Sequence, residues 1–277
     1  MLAAKSRPAF DLAAIISFLI LIAAAGGILF PEVYRDNAAT KAGWISTDWV
    51  TLVVALPLLA GALIAARRGF RRAYLVLLGT MHYTLYNYVF YLFGAALNWF
   101  FLLYVALFML PVFALIFALT SIDAGSLSRD FRPTTPVRWI GGYMFFWASL
   151  LAVAWIAQWA RFMATGALGL ESEGALRQIA AADLSLFASA IWLGAVWLWK
   201  RRPWGYVLAT IMNVSGALYT LVLLVGSLVQ AAAGAEGAMS LVPLWAFLSL
   251  ACLAASVALL WNLRPATLEP RTEQVGR

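Results

Sequence analysis

The sequence predicts an all-α, polytopic membrane protein with eight transmembrane helices, and three observations lead there. The first is composition: 277 residues, 64% hydrophobic, only 11% charged, with a mean hydropathy of +0.88. Soluble chains are nearer half apolar and a quarter charged, so this one lacks the polar groups to cover a water-facing surface. The second is the recurrence of apolar runs of about 20 residues, the length a helix needs to cross the hydrocarbon core. The third is the placing of Lys and Arg, which collect in alternate connections.

The spans follow in order. Lys5 and Arg7 precede an apolar run at 10–30. That run is longer than the core of a typical signal peptide and no clear cleavage site follows it, so it reads as a retained first span. The second run, 48–66, opens at Asp48 and stops at Arg67-Arg68; the third, 73–94, follows the basic turn "RRGFRR". Runs at 98–120, 138–161, 180–199, 204–230 and 240–262 complete the set, the sixth closing on "KRRP". The longest connections are 31–47, 121–137 and 162–179, which leaves one transmembrane domain, 1–264, and a polar tail, 265–277. Thirteen Trp, ten Tyr and seventeen Phe suit the aromatic belts of a bilayer interface.

With the N-terminus inside, the inner segments hold 15 of the 19 basic residues; only Arg35, Lys41, Arg161 and Arg177 fall outside. An N-in, C-in topology follows from the positive-inside rule. The net charge of +7 is therefore a membrane signal, not a nucleic-acid one. Membrane lipids are the expected partners, with anionic head groups at Arg67, Arg68, Arg71, Arg72, Lys200, Arg201 and Arg202. In both Asp48–Tyr74 and Asp183–Tyr206, an acid opens an outside-to-inside helix, a basic turn follows, and the chain re-enters at a tyrosine. Spans 1–4 and 5–8 then read as a 4+4 parallel repeat about an axis along the membrane normal, although basic turns alone would also follow from topology.

Pro57, Arg68-Gly69, Gly79, Tyr83, Tyr86-Asn87-Tyr88, Gly94, Asn98, "FLLYVALF" (101–108), Asp183-Leu184 and "RRPWGY" (201–206) resemble a group of multi-pass bacterial membrane proteins without an assigned activity. The likeness spans roughly residues 48 to 225. It implies a bacterial cytoplasmic (inner) membrane and carries over no functional residue.

The stretch "MHYTLYNYVFYLFG" (81–94) concentrates polarity inside a span. Tyr83, Asn87 and Tyr91 share one helical stripe, with His82 and Tyr86 beside it. Unpaired polar groups are costly in hydrocarbon, so the stripe is expected to face other helices. Together with Asn98 and Asn213 these residues form the candidate ligand-binding set, and Asn87 is expected to line a cavity. The bland reading weighs about as much: Tyr, Asn and His also serve as interhelical glue worth roughly 0.6 kcal/mol each. Asp48, Arg161 and Asp183 read as outer-end charges, the two acids capping helix starts.

Patterns of chemistry are sparse. HExxH, GxSxG and P-loop motifs are missing. Single Cys252 and single His82 exclude a disulfide framework, a multi-cysteine metal site and bis-histidine haem ligation. The only lysines, Lys5, Lys41 and Lys200, stand at or beyond span ends, where a retinal Schiff base does not belong. No cofactor is expected. The leading function is binding or transport of a small or lipidic molecule through a polar-lined intrahelical cavity. The alternatives are a lipid-modifying enzyme using His82 as base, with Ser215 or Ser149 as nucleophile, and an accessory or sensor subunit. Transport requires a cavity reaching mid-depth; an enzyme requires a nucleophile or acid at His82; an accessory role requires packed polar pairs without a cavity.

Overall fold

The computed structural model describes residues 6–168, 172–232, 234 and 237–265. Lys5, Arg271, Arg277 and the tail from 266 lie outside the described residues. Among the described residues there is no strand, and seven helices are long and apolar enough to cross a membrane. They are α1 (Arg7–Leu29), α2 (Ala38–Arg67), α4 (Phe101–Thr120), α5 (Val137–Thr165), α6 (Glu173–Trp199), α7 (Pro203–Ala232) and the helix from Ala238 to Asn262, whose α-helical part is α8 (Val242–Asn262). Helix α3 (Arg71–Gly94), 24 residues long, is more polar and falls outside that group.

Burial explains the polarity of α3. Helices α3 and α7 bury fifteen residues each, more than any other helix, and they pack against each other at the centre. A helix surrounded by protein need not be apolar on every face, because its polar groups meet partners and not lipid. Large apolar side chains are exposed on the outer helices, among them Phe18, Val53, Leu102, Val153 and Leu250. Exposed Trp139, Trp199 and Trp261 lie at helix ends on the basic side and Trp99 and Trp159 toward the opposite side, while exposed Trp49 and Trp192 lie within α2 and α6.

Helix packing follows a regular scheme. In the first half α1 packs on α2 and α4, and α3 on α2 and α4. In the second half α6 packs on α5 and α7, and α7 on α8, but α5 and α8 hardly touch. Between halves, α3 meets α7, α2 meets α7, and α6 meets α3. Two local features recur. A π-helical segment interrupts α2 at Thr51–Ala55 and α6 at Asp183–Ala188. In α2, Pro57 lacks an N–H, which loosens the ladder there. The turns after α2 and α6 also match. Gly69 N–H bonds Ala66 O and Phe70 N–H bonds Ala65 O; Arg201 N–H bonds Leu198 O and Arg202 N–H bonds Trp197 O. Both are Schellman ends with a left-handed residue, Gly69 at φ 92 and Arg201 at φ 51.

The basic end is stapled. Arg71 pairs with Asp130, Arg72 Nε donates to Leu263 O at 2.9 Å, and Arg264 N–H donates to Asp130 O at 3.0 Å. The Phe131 main chain pairs with Leu263, and its ring packs at a tilt against Tyr206 with centroids 4.5 Å apart. The segment between α4 and α5 thus ties α3, α7 and the end of α8 together.

Two helices start earlier than hydropathy suggests. Helix α2 begins at Ala38, not 48, and α6 at Glu173, not 180. Their true N-caps are Asn37, whose side chain accepts from Thr40 N–H, and Ser172, which accepts from Ala175 N–H. This corrects the capping role expected of Asp48 and Asp183. Each is the eleventh residue of a continuous helix, and each is buried.

Candidate functional site

The missing contact between α5 and α8 leaves a cavity of about 420 Å³. Helices α5, α6, α7 and α8 wall it, and α3 contributes Tyr86. Its lining is mainly apolar and aromatic, as small-molecule sites are, with a few convergent polar groups. The seam between α5 and α8 is bridged by side chains: Trp147 packs near Phe247 at 6.0 Å between centroids, and Tyr143 Oη lies 2.9 Å from Cys252 Sγ.

The polar groups come from three elements. Asp183 stands at the π segment of α6; Tyr86 Oη donates to its Oδ1, and Trp155 Nε1 on α5 donates to its Oδ2 at 2.7 Å. Tyr86 is itself fixed by aromatic contacts with Phe187 at 4.8 Å and Tyr219 at 4.6 Å. Asn213 on α7 uses Nδ2 for both of its bonds, to Ala209 O at 2.8 Å and Met144 Sδ at 3.2 Å, so its Oδ1 remains as an acceptor. Gln158 is exposed along the same lining.

Of the seven ligand-binding candidates, Tyr86 and Asn213 line this cavity and five do not. Tyr83, Asn87 and Tyr91 are buried and His82 is mostly so, but Tyr88, Val89 and Phe90 are buried with them, so α3 is enclosed on every face and not along one stripe. Yet they face other partners. His82 Nδ1 lies 2.9 Å from Ser215 Oγ, and its ring centroid stands 6.3 Å from that of Phe187. Tyr83 Oη lies 2.9 Å from Thr51 Oγ1. Tyr91 Oη donates to Asp48 Oδ1 at 2.9 Å and to Trp44 O at 3.2 Å. Asn87, expected to line a cavity, has a buried, unpartnered Nδ2 and is not part of the wall of this one. Asn98 accepts from Phe100 N–H at the start of α4, a local capping role. Arg161 is exposed.

Asp48 has a different setting from Asp183. Tyr34 Oη and Tyr91 Oη donate to its two oxygens, and Gly27 of α1 presses against Asp48 and Tyr34. Burial first, then the Asp48 carboxylate, push the Tyr34 phenol far above its ordinary pKa, so Tyr34 remains a donor. Sequence reasoning missed Trp155, Tyr219, Tyr34 and Thr51 as partners. Each sits on a different element from the group it serves, from 14 residues away for Tyr34 and Asp48 to the opposite half of the chain for Tyr219 and Tyr86, so no local spacing announces the pairing.

Family models, curated proteins and solved structures were all compared with the chain, and none matches. What the fold and the cavity define is a class: an all-helical, multi-pass membrane protein with an aromatic intrahelical cavity.

Proposed function

We propose that the protein binds or transports a small amphipathic molecule through the cavity walled by α5–α8. The observation that carries this reading is the cavity itself, apolar along its length and supplied with Asp183, Tyr86 and Asn213. Its wall between α5 and α8 rests on side-chain contacts alone, which suits entry from lipid. The enzyme reading has less support: His82 and Ser215 do touch, but neither reaches the cavity and Ser215 is wholly buried, so no substrate route to them is apparent. An accessory role, which requires packed polar pairs without a cavity, fits less well because the cavity is there.

The test is a cavity-filling substitution at an exposed lining position. Ala154→Phe projects from α5 into the cavity without disturbing the core. A panel of small amphiphiles screened by thermal shift in detergent will contain members that stabilise the wild type. A ligand at a hundredfold excess over its Kd stabilises by about 2.7 kcal/mol. Ala154→Phe removes that response and leaves the unliganded melting temperature unchanged. A panel that stabilises variant and wild type alike removes the cavity as the site.

The membrane setting belongs to the same proposal. Helix α3 at 1.5 Å per residue reaches about 36 Å, long enough to span, and counts in this reading as an eighth span. The split of basic residues supports placing both termini and the Gly69 turn on the cytoplasmic side of a bacterial inner membrane. Basic residues of the Arg67–Arg72 and Lys200–Arg202 turns then face anionic head groups. In a Cys252→Ser background, a cysteine at position 35 reacts with an impermeant maleimide added to intact cells, and one at position 69 reacts only after permeabilisation. External labelling at 69 reverses the topology. A 4+4 parallel repeat fits the packing scheme, since exchanging the halves maps α2 on α7 onto α6 on α3. It fits the paired π segments, the paired Schellman turns and the eleventh-position acids too. The α1–α4 contact then has no counterpart between α5 and α8, and the cavity occupies that place.

A further inference from the structure

We infer that the ligand is an organic cation, an amine or quaternary ammonium on an aromatic or short alkyl body, with Asp183 as its counter-ion. The inference rests on the cavity reading above and names the chemistry the cavity recognises. Asp183 is a carboxylate in the wall of an otherwise apolar chamber, and among the described residues no Lys, Arg or His forms an ion pair with it. Its two hydrogen-bond donors, Tyr86 and Trp155, are neutral. They hold the carboxyl group in place and supply no compensating charge. In low dielectric such a group takes up either a proton or a cation. An anionic ligand meets repulsion there, and a neutral one leaves the carboxylate as it was.

The rest of the wall suits the same ligand. Trp147, Phe187, Tyr219 and Trp245 line the chamber with Tyr86, and Tyr86, Phe187 and Tyr219 meet one another within 6.2 Å between centroids next to Asp183. Aromatic faces attract cations through the ring quadrupole, most strongly where water is excluded. A volume of about 420 Å³ accommodates one ring with an ammonium group and excludes a whole phospholipid. Asn213 Oδ1 adds a neutral acceptor for a ligand N–H.

Benzyltrimethylammonium and its uncharged carbon isostere, neopentylbenzene, separate charge from shape. Binding of both is followed by tryptophan fluorescence on purified full-length protein in nanodiscs. The wild type binds the cation at least tenfold more tightly than the isostere. Asp183→Asn loses most of that preference, Asp183→Glu keeps it within a few-fold, and Ala154→Phe loses binding of both probes. The wild-type comparison stands even where a variant does not fold. Equal affinity of the wild type for the two probes overturns the cation assignment, as does full cation binding by folded Asp183→Asn. If the isostere still binds in a manner sensitive to Ala154→Phe, the cavity reading survives that result. If neither probe binds the wild type, the cation assignment falls, and a flat amphiphile screen then takes the cavity reading with it.

Discussion

Gly79→Leu is expected to abolish the folded protein, and Gly79→Ala to lower its thermal stability. The reason is the crossing of α3 and α7. A Cβ added at Gly79 stands 2.5 Å from Val214 Cβ, 2.6 Å from its Cγ1 and 3.2 Å from Ile211 O. None of these atoms can rotate clear: two belong to a β-branched side chain with a stiff χ1, and one is main chain. The helices must separate. Helix association in a membrane depends on close van der Waals packing, because lipid competes equally for apolar surface. Separation also weakens the bond between His82 and Ser215, which bridges the same pair of helices. Overpacking a tight site costs about 1–3 kcal/mol, so alanine sits in that range and leucine, with three more carbons, beyond it. Thermal unfolding in detergent reads the effect. A second substitution checks the cause: Val214→Gly in the Gly79→Ala background restores part of the lost stability, because it removes the atoms in conflict. Simple addition of the two losses would show that the crossing is not the point of conflict.

Much of this architecture can be read from the chain. Helix ends at the basic side agree with hydropathy to within three residues, and most to within two, because arginine clusters stop an apolar run abruptly, as at Arg67 and Lys200. The opposite ends of α2 and α6 are another matter. Their first turns, "AATKAGWIST" and "EGALRQI", are too polar to look like spans, and they are helical because Asn37 and Ser172 cap them. Asp48 and Asp183 therefore look terminal in the sequence and are interior in the fold. The burial of Tyr83, Tyr86 and Tyr91 was legible, since unpaired polar groups are costly in lipid, but a single inward stripe was not the reason, because Tyr88, Val89 and Phe90 on the other faces of α3 are buried too. Which inward residues meet empty space was not legible. That depends on α5 and α8 standing apart, a property of four helices at once, and it selects Tyr86 and Asn213 over Asn87. The partners of the two carboxylates are equally non-local: Tyr34 lies in the connection before α2, and Trp155 on α5.

The contrast between the two carboxylates gives the other large effect. Asp48→Leu will destabilise the protein and leave cation binding unchanged, the reverse of what Asp183→Asn does. Asp48 is 1% exposed, with both oxygens engaged by tyrosine hydroxyls and Gly27 packed against it. It has no place in the cavity wall. Its removal strands the Tyr34 hydroxyl, which is held protonated and loses its acceptor, while Tyr91 keeps Trp44 O. A buried donor left without a partner costs about 1–3 kcal/mol. Gly27 also limits the space for a branched side chain beside Tyr34. The sum is expected at about 2–5 kcal/mol, within the range for loss of a buried polar network. Tyr34→Phe in the Asp48→Leu background should recover part of it, because replacing both partners of a buried bond by apolar groups approaches neutrality. Denaturation in detergent measures the stabilities, and benzyltrimethylammonium titration of the same samples measures binding. If Asp48→Leu weakens the cation as much as Asp183→Asn does, the two carboxylates act on one ligand path, and the separation of a structural acid in the first half from a ligand acid in the second is wrong.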